Sequence, residues 1–280
     1  MRKWYKHYFE LSDRKIKKIT KFKKFEDFEK GMGGYGSNQH YKSRKKFNKE
    51  YLKGRFLIYS NYLKKNIKKN KNILSIASGR CINELNLLNM GYKITCTDLS
   101  IPQCYKKSKK IFKKFNYNKF DILKDNLKKK YDTIIGLGLL YVFSEKQLNK
   151  FFKGLNRSVK LGGEIIIDSS SSPDNIITYL YDNFLLKFEN IILSLMLNLI
   201  GKKNNFISRH HGYKFKNKEL IKIAKRHGFE IIDVKTKDFI TEFSRSRLIS
   251  KIYILNLILK PFSFFMSYVR IFKFKKIKNL

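Results

Sequence analysis

Apolar and polar positions follow two alternating periods between residues 72 and 169. Ile73–Ala77 is a short apolar run, which predicts a buried strand. Ile82–Met90 carries apolar residues at helical spacing and stops at Gly91, a residue suited to end a helix. Tyr92–Thr97 then shows a period of two, the mark of a strand. Pro102–Phe115 predicts a helix with a proline near its start, where no N–H is needed. Tyr117–Phe120 and Asp132–Leu137 are two further strands. Ser144 and Gln147 have the spacing of a capping box, and Leu148, Phe151, Leu155 and Val159 follow on one helical face. This helix is expected to end at Leu161-Gly162-Gly163, with Glu164–Asp168 as the next strand. Strands alternating with helices of this length predict a parallel sheet with right-handed crossovers.

Outside this stretch the pattern is looser. Residues 1 to about 70 read as helical and basic, interrupted by a glycine-rich loop at Gly31–Gly36. No strand leads into that loop, so it is a linker or a flap over a ligand rather than a phosphate cradle. Ile176–Ile200 is apolar but broken by Asp182, Lys187 and Glu189, which suits a buried or lid helix better than a membrane span. Asn217–His227 predicts an amphipathic helix stopped by Gly228, ahead of a strand at Phe229–Val234. Leu248–Phe274 is apolar with Lys251, Lys260 and Arg270 inside it, and a basic end follows. Lys260-Pro261 splits its longest apolar run, so this tail either packs on the domain or lies in a membrane interface.

Composition narrows the class. A chain of 280 residues suits one domain with additions, or two small domains. A hydrophobic content of 42% and an aromatic content of 15% exclude a disordered chain. The formal net charge of +40 has two readings: a lysine-rich compositional habit, or an anionic partner such as nucleic acid or an anionic membrane surface. Lys dominates over Arg and is the weaker choice for bidentate phosphate recognition, which favours habit. Cys81, Cys96 and Cys104 have no zinc spacing, and an odd number makes no disulfide framework. They predict a reducing, cytoplasmic compartment, with peripheral membrane contact as the variant and no metal site. Met1–Lys18 lacks the apolar run of a signal peptide.

The candidate chemistry lies in residues 72–100. The first strand runs into a turn of small residues, Ala77-Ser78-Gly79-Arg80-Cys81, and then into a helix. The next strand ends on Asp98, roughly 20 residues after Gly79, as the dinucleotide-type fingerprint requires. A small-residue turn lets a ligand approach the backbone where strand meets helix. A carboxylate, an acceptor with two oxygens, binds both hydroxyls of a ribose. Together they predict a nucleoside-bearing cofactor. Asp98 has a second possible use as a cap for the helix near Pro102. A nicotinamide site expects Gly-x-Gly-x-x-Gly, and Ala77–Ile82 departs from that pattern at its last position.

Over about residues 56 to 236 the chain resembles the class I S-adenosylmethionine-dependent methyltransferases. The resemblance rests on an ordered set: the strand, turn and helix at Ile73–Cys81; Asp98; Asp121; Tyr131-Asp132-Thr133-Ile134-Ile135; Leu161-Gly162-Gly163; and Arg226-His227-Gly228-Phe229. It implies S-adenosylmethionine as cofactor. It assigns Asp98 to the ribose hydroxyls and Asp121 to the adenine amino group, with Leu99 and Ile122 as apolar faces for the ring. Ala77, Ser78 and Gly79 would lie beneath the methionine part, and Gly136 near the sulfonium. Asp121 has Asp125 nearby as a competitor for a capping role. The family's acid followed by three alternate glycines is replaced here by Ser75, Ala77, Gly79 and Cys81, which removes a partner for the cofactor's ammonium group.

The implied fold is α/β, a Rossmann-like doubly wound, mostly parallel sheet. A helical N-terminal cap is expected over 1–55, the α/β domain over 56–240 with a lid insertion at about 174–215, and a basic apolar tail over 241–280. His210 or His211, between the lid and the Asn217 helix, is the candidate general base for an acceptor that must lose a proton; a pair of surface histidines is the alternative. The expected reaction is methyl transfer to a small-molecule, lipid-linked or glycan-precursor acceptor. The alternatives are an RNA methyltransferase, and a non-catalytic, membrane-associated binding protein of the same fold.

Overall fold

The protein is described by a computed structural model that covers residues 2–5, 55–99, 101–102, 105–170, 172–173, 175–201, 212–236, 258, 260–262 and 269–280. A short strand β1 (Arg2–Tyr5) and helix α1 (Arg55–Asn66) precede β2 (Asn72–Ser75), α2 (Ile82–Asn89) and β3 (Lys93–Asp98). Then come α3 (Tyr105–Ile111), β4 (Asn116–Lys119), β5 (Tyr131–Gly136), α4 (Glu145–Ser158) and β6 (Val159–Ser170). An arm of α5 (Ile176–Leu180), a π-turn (Tyr181–Leu185) and α6 (Leu186–Leu199) follows. The described elements end with β7 (Gly212–Lys214), α7 (Asn217–Arg226), β8 (Phe229–Lys235) and β9 (Val269–Lys276).

The seven-stranded sheet has the order β4-β3-β2-β5-β6-β9-β8. The first five strands are parallel, and β9 runs antiparallel to both neighbours. The chain winds outward from β2 to β4, then returns to β5 on the other side of β2. The carboxyl ends of β2 and β5 therefore flank a topological switch point, where open α/β sheets bind ligands.

Both faces of the sheet are covered, which explains why its strands read as nearly continuous apolar runs. Successive side chains divide between the faces. Ile134, Ile165, Ile167, Phe272 and Phe274 pack with Leu148, Phe151, Phe152 and Leu155 of α4 and Leu220, Ile223 and Ala224 of α7. Ile135, Ile166 and Ile271 pack on the opposite face with Tyr59, Leu63 and Ile67 of α1 and Leu87 of α2. Helix α4 starts where its sequence dictates. The Gln147 N–H donates to Ser144 Oγ at 3.4 Å, and the Ser144 N–H donates to Gln147 Oε1 at 2.9 Å.

Four expectations change. Arg2–Tyr5 is a strand rather than part of a helix and pairs antiparallel with β7; the rest of the expected cap over 1–55, including Gly31–Gly36, lies outside the described residues except Arg55. Helix α4 ends at Ser158, and Leu161-Gly162-Gly163 is an irregularity inside β6 rather than the end of a helix. There Tyr131 faces Val159 but Thr133 faces Glu164, and Gly162 takes a left-handed φ of 73°. The apolar stretch at 176–200 is a jointed arm with many exposed apolar residues, so of the two expected readings, buried or lid helix, the buried one is excluded.

The largest change concerns the tail. Residues 269–276 form a strand between β6 and β8, so the sheet extends beyond the expected boundary at 240. The basic residues of this strand are bonded within the fold. The Arg270 guanidinium donates to the Phe215 carbonyl at 2.8 Å and to Ser169 Oγ at 3.3 Å, and Lys273 pairs with Glu164 at 3.1 Å. Lys276 is buried and donates to the carbonyls of Asn156 and Val159. Burial pushes its ammonium pKa below the usual lysine range.

Candidate active site

The carboxyl ends of β2, β3, β4 and β5 lie side by side. Ser75 is in register with Cys96 and Ile135, and Asp98 with Lys119. At strand spacings of about 4.8 Å, these four ends span roughly 15 Å. The sequence-predicted residues 75–79, 98–99, 121–122 and 136 lie at or just beyond them.

The turn after β2 has the backbone of a glycine-rich loop with only one glycine. Ala77, Gly79 and Cys81 have φ values of 52°, 50° and 59°, and Ala77 and Cys81 are the only non-glycine residues with positive φ among those described. Left-handed backbone costs a side-chain-bearing residue about 1–2 kcal/mol and persists only where its surroundings impose it. Here they do. The Ser78 N–H donates to the Thr97 carbonyl at 3.0 Å, and Ser78 Oγ donates to the Ser75 carbonyl at 3.0 Å. Thr97 Oγ1 donates to the same Ser75 carbonyl at 2.8 Å, and the Tyr117 hydroxyl donates to the Gly79 carbonyl at 3.1 Å. A Cβ built at Gly79 would meet nothing within 4 Å, so the outer side of the turn is open.

Asp98 is fixed against this turn. One carboxylate oxygen accepts the Gly79 N–H at 2.9 Å and the other accepts the Leu99 N–H at 2.7 Å. The carboxylate thus belongs to the turn itself and is not a remote helix cap. Leu99 beside it is 52% exposed. Asp121 caps its own turn: Oδ1 accepts the Leu123 N–H at 2.9 Å, and Lys124 Nζ lies 3.6 Å from Oδ2. Asp125 accepts the Asp121 N–H at 2.8 Å, so the two acids share the capping of one loop.

Ile122 is turned into the core. Gly154 of α4 packs so closely there that a Cβ would lie 2.2 Å from the Ile122 carbonyl oxygen. Overpacking against backbone cannot be relieved by a side-chain rotation. Gly154→Ala is expected to cost about 3 kcal/mol and to displace the 121–123 loop. Denaturant unfolding gives the first effect, and weakened cofactor binding the second. An unchanged midpoint would show that α4 shifts freely. Gly136 plays a packing part, since a Cβ there would meet Ile76 Cγ1 at 3.0 Å.

Three features near these strand ends were not read from the sequence. Glu84, in the first turn of α2, is buried and its carboxyl lies 2.7 Å from Ser75 Oγ. It restores an acid behind the position where the strand lacks one. Burial, opposed by the Ser75 hydrogen bond, raises its pKa from 4.5 to about 7. The folded protein therefore holds an extra proton between pH 4.5 and about 7, and this group's contribution to stability falls as pH rises through that window. The fall is about 3 kcal/mol. Glu84→Gln is expected to remove it, raising the melting temperature near pH 8 and flattening the profile below pH 7. Identical pH profiles for both proteins would refute it.

Asn83, the neighbour of Glu84, is 5% exposed and its Oδ1 has no partner. An unpaired buried acceptor beside an open turn suits a ligand that brings a donor. Asp168, near the end of β6, accepts the Gly138 N–H at 2.5 Å and the Tyr59 hydroxyl of α1. It ties the loop after β5 to α1. The aspartate was legible as a strand end, whereas its partners are 30 and 109 residues away. His210 and His211 lie outside the described residues, and no cluster of metal-ligating side chains occurs among those described.

These residues fit the cofactor implied by the resemblance: an open turn with small side chains, an oriented carboxylate, an exposed apolar residue beside it and an unpaired acceptor below. A family model described as tellurite resistance protein TehB matches residues 40–192. A comparison with curated proteins finds no match. Magnesium protoporphyrin IX methyltransferase from Synechocystis PCC 6803, solved with bound SAH, aligns with a TM-score of 0.52 at 14% identity, covering 90% of this chain and 94% of that one. The 1,6-didemethyltoxoflavin-N1-methyltransferase of Burkholderia thailandensis aligns with a TM-score of 0.52 at 12% identity, covering 84% and 87%. A SAM-dependent methyltransferase from Methanosarcina mazei gives 0.51 at 14% identity, covering 77% and 97%. At these identities the likenesses establish the fold.

Proposed function

The chain belongs to the tellurite resistance protein TehB family and is a class I S-adenosylmethionine-dependent methyltransferase, and from that premise we propose that residues 75–99 hold the cofactor for methyl transfer to a small molecule. The observation that carries the site is Asp98, whose carboxylate is held by the N–H groups of Gly79 and Leu99. An anion so fixed is preorganised to accept the ribose hydroxyls without rearranging. Leu99 offers the adenine an apolar face, and Asp121 an acceptor for its amino group. The left-handed turn at Ala77, Ser78 and Gly79 leaves room for the methionine part. Glu84, through Ser75, supplies negative charge for the ammonium group.

Bound S-adenosylmethionine supplies a methyl group on a sulfonium, already a good leaving group. The residues therefore have mainly to align the acceptor with it and to exclude water. Asp168 positions the loop 137–139 at the acceptor end by holding the Gly138 N–H and the Tyr59 hydroxyl. His210 or His211 would serve as base where the acceptor must lose a proton. Two of the similar structures are named for small-molecule acceptors, which supports that class.

Calorimetry of the full chain with S-adenosylmethionine is expected to show one-site binding displaced by S-adenosylhomocysteine. A null titration overturns the reading. Because binding a cation favours ionised Glu84, affinity is expected to rise with pH up to about 7, and the Glu84→Gln protein should lose that dependence.

A further inference from the structure

The arm of α5, the π-turn and α6 carries an apolar ridge that the methyltransferase reading does not use. Phe184, Phe188, Ile191, Leu195 and Leu199 recur at helical spacing, and each is more than half exposed. Ile176 at the start of the arm is 70% exposed and Leu199 at its end 87%. Thr178, Tyr181 and Glu189 of the same arm are buried, so the exposed apolar residues form a ridge on an arm that is otherwise partly covered. Monomers rarely expose so continuous an apolar surface without a partner.

We propose that this ridge docks the protein on an anionic lipid surface, lying in the interface plane. The charge of the chain selects this occupant. A second copy would bring another +40, which opposes association, whereas an anionic bilayer is attracted to it. Lys187 is exposed on α6, where it can meet headgroups. The ridge runs along the α5, π-turn and α6 segments, and exposed apolar side chains of this kind suit insertion into a headgroup layer. No described helix is long and apolar enough to cross a membrane, so contact is interfacial. The basic strand at 269–276 cannot provide this surface, because Arg270, Lys273 and Lys276 are bonded inside the fold.

The test is co-sedimentation of the full chain with vesicles of phosphatidylcholine plus phosphatidylserine, and with phosphatidylcholine alone. Binding is expected to the first and to weaken on the second and in high salt. A protein carrying Phe188→Ser, Ile191→Ser and Leu195→Ser is expected to partition about tenfold less, with an unchanged melting temperature. If that protein does not fold, Leu199→Ser with Ile200→Ser, at the exposed end of α6, gives the same reading. Wild-type protein that ignores both vesicles, or binding undiminished by either set of substitutions, overturns the proposal. So does self-association in sedimentation velocity that the substitutions abolish, since a second copy is then the occupant. None of these readouts requires the cofactor.

Discussion

A chain that stops before Val269 is expected to remain unfolded. Strand β9 pairs with β6 from Glu164 to Ser170 and with β8 from Phe229 to Lys235, so its loss strips ladder partners from both strands. It also removes Ile271, Phe272 and Phe274, all fully buried. At about 1.5–3 kcal/mol for each large apolar side chain, their burial alone rivals the 5–15 kcal/mol by which a typical domain is stable. The point substitution is Phe274→Ala. This ring is stacked on Phe272 at 6.0 Å and meets Phe152 of α4 edge-on at 5.9 Å. Its truncation is expected to cost about 3–5 kcal/mol. Circular dichroism of the shortened chain and urea unfolding of Phe274→Ala are the measurements. A native spectrum for the shortened chain would mean that β6 and β8 find other partners.

Asp98→Ala is expected to weaken S-adenosylmethionine binding about a hundredfold or more. Two charge-assisted hydrogen bonds to the ribose, each worth about 1.5–3 kcal/mol, would be lost together. The substitution also leaves the N–H groups of Gly79 and Leu99 without their acceptor, so the turn loosens. Asp98→Asn separates the two effects. It keeps the shape and one acceptor, and should bind between the wild type and Asp98→Ala. Calorimetry on all three proteins, with melting temperatures as the control for folding, decides it. Equal affinity in wild type and Asp98→Ala would remove the ribose assignment.

The region from β2 to α4 was legible because each element there is short, separately bounded and faithful to one period. Ser144 with Gln147 predicted the start of α4, and the structure has both hydrogen bonds. The end of that helix was misread because Gly162 and Gly163 look like a terminator, whereas Gly162 supplies a left-handed backbone and Gly163 relieves crowding inside β6. A Cβ at Gly163 would approach the Asp132 carbonyl oxygen to 2.9 Å. β9 was hidden by its charges. Phe272 and Phe274 alternate correctly, but Arg270 and Lys276 share their face as buried cations, which no apolar pattern reveals. The site divides in the same way. Asp98 was visible through its distance from the turn. Glu84 read as an ordinary helical acid, and only the fold brings it to Ser75. The turn at Ala77 and Cys81 looked degenerate in its letters, yet its dihedral angles are those of glycines. Backbone conformation there is imposed by the Ser78 N–H donating to β3 and by the Tyr117 hydroxyl donating to the turn, not by residue identity.

The antiparallel strand inside the sheet also sets an order of assembly. Lys235 faces Ile271 across β8 and β9, whereas Ser170 faces Val269 across β6 and β9. The first loop is roughly a third as long as the second, so it closes with about 1 kcal/mol less entropy loss. β8 and β9 are therefore expected to pair before either meets β6, and to arrive as a unit. Until it does, β6 offers an unpaired edge rich in isoleucine, which is a template for another chain. Docking of that late pair is the step expected to be slow, and crowded refolding should divert the chain at that point into aggregates.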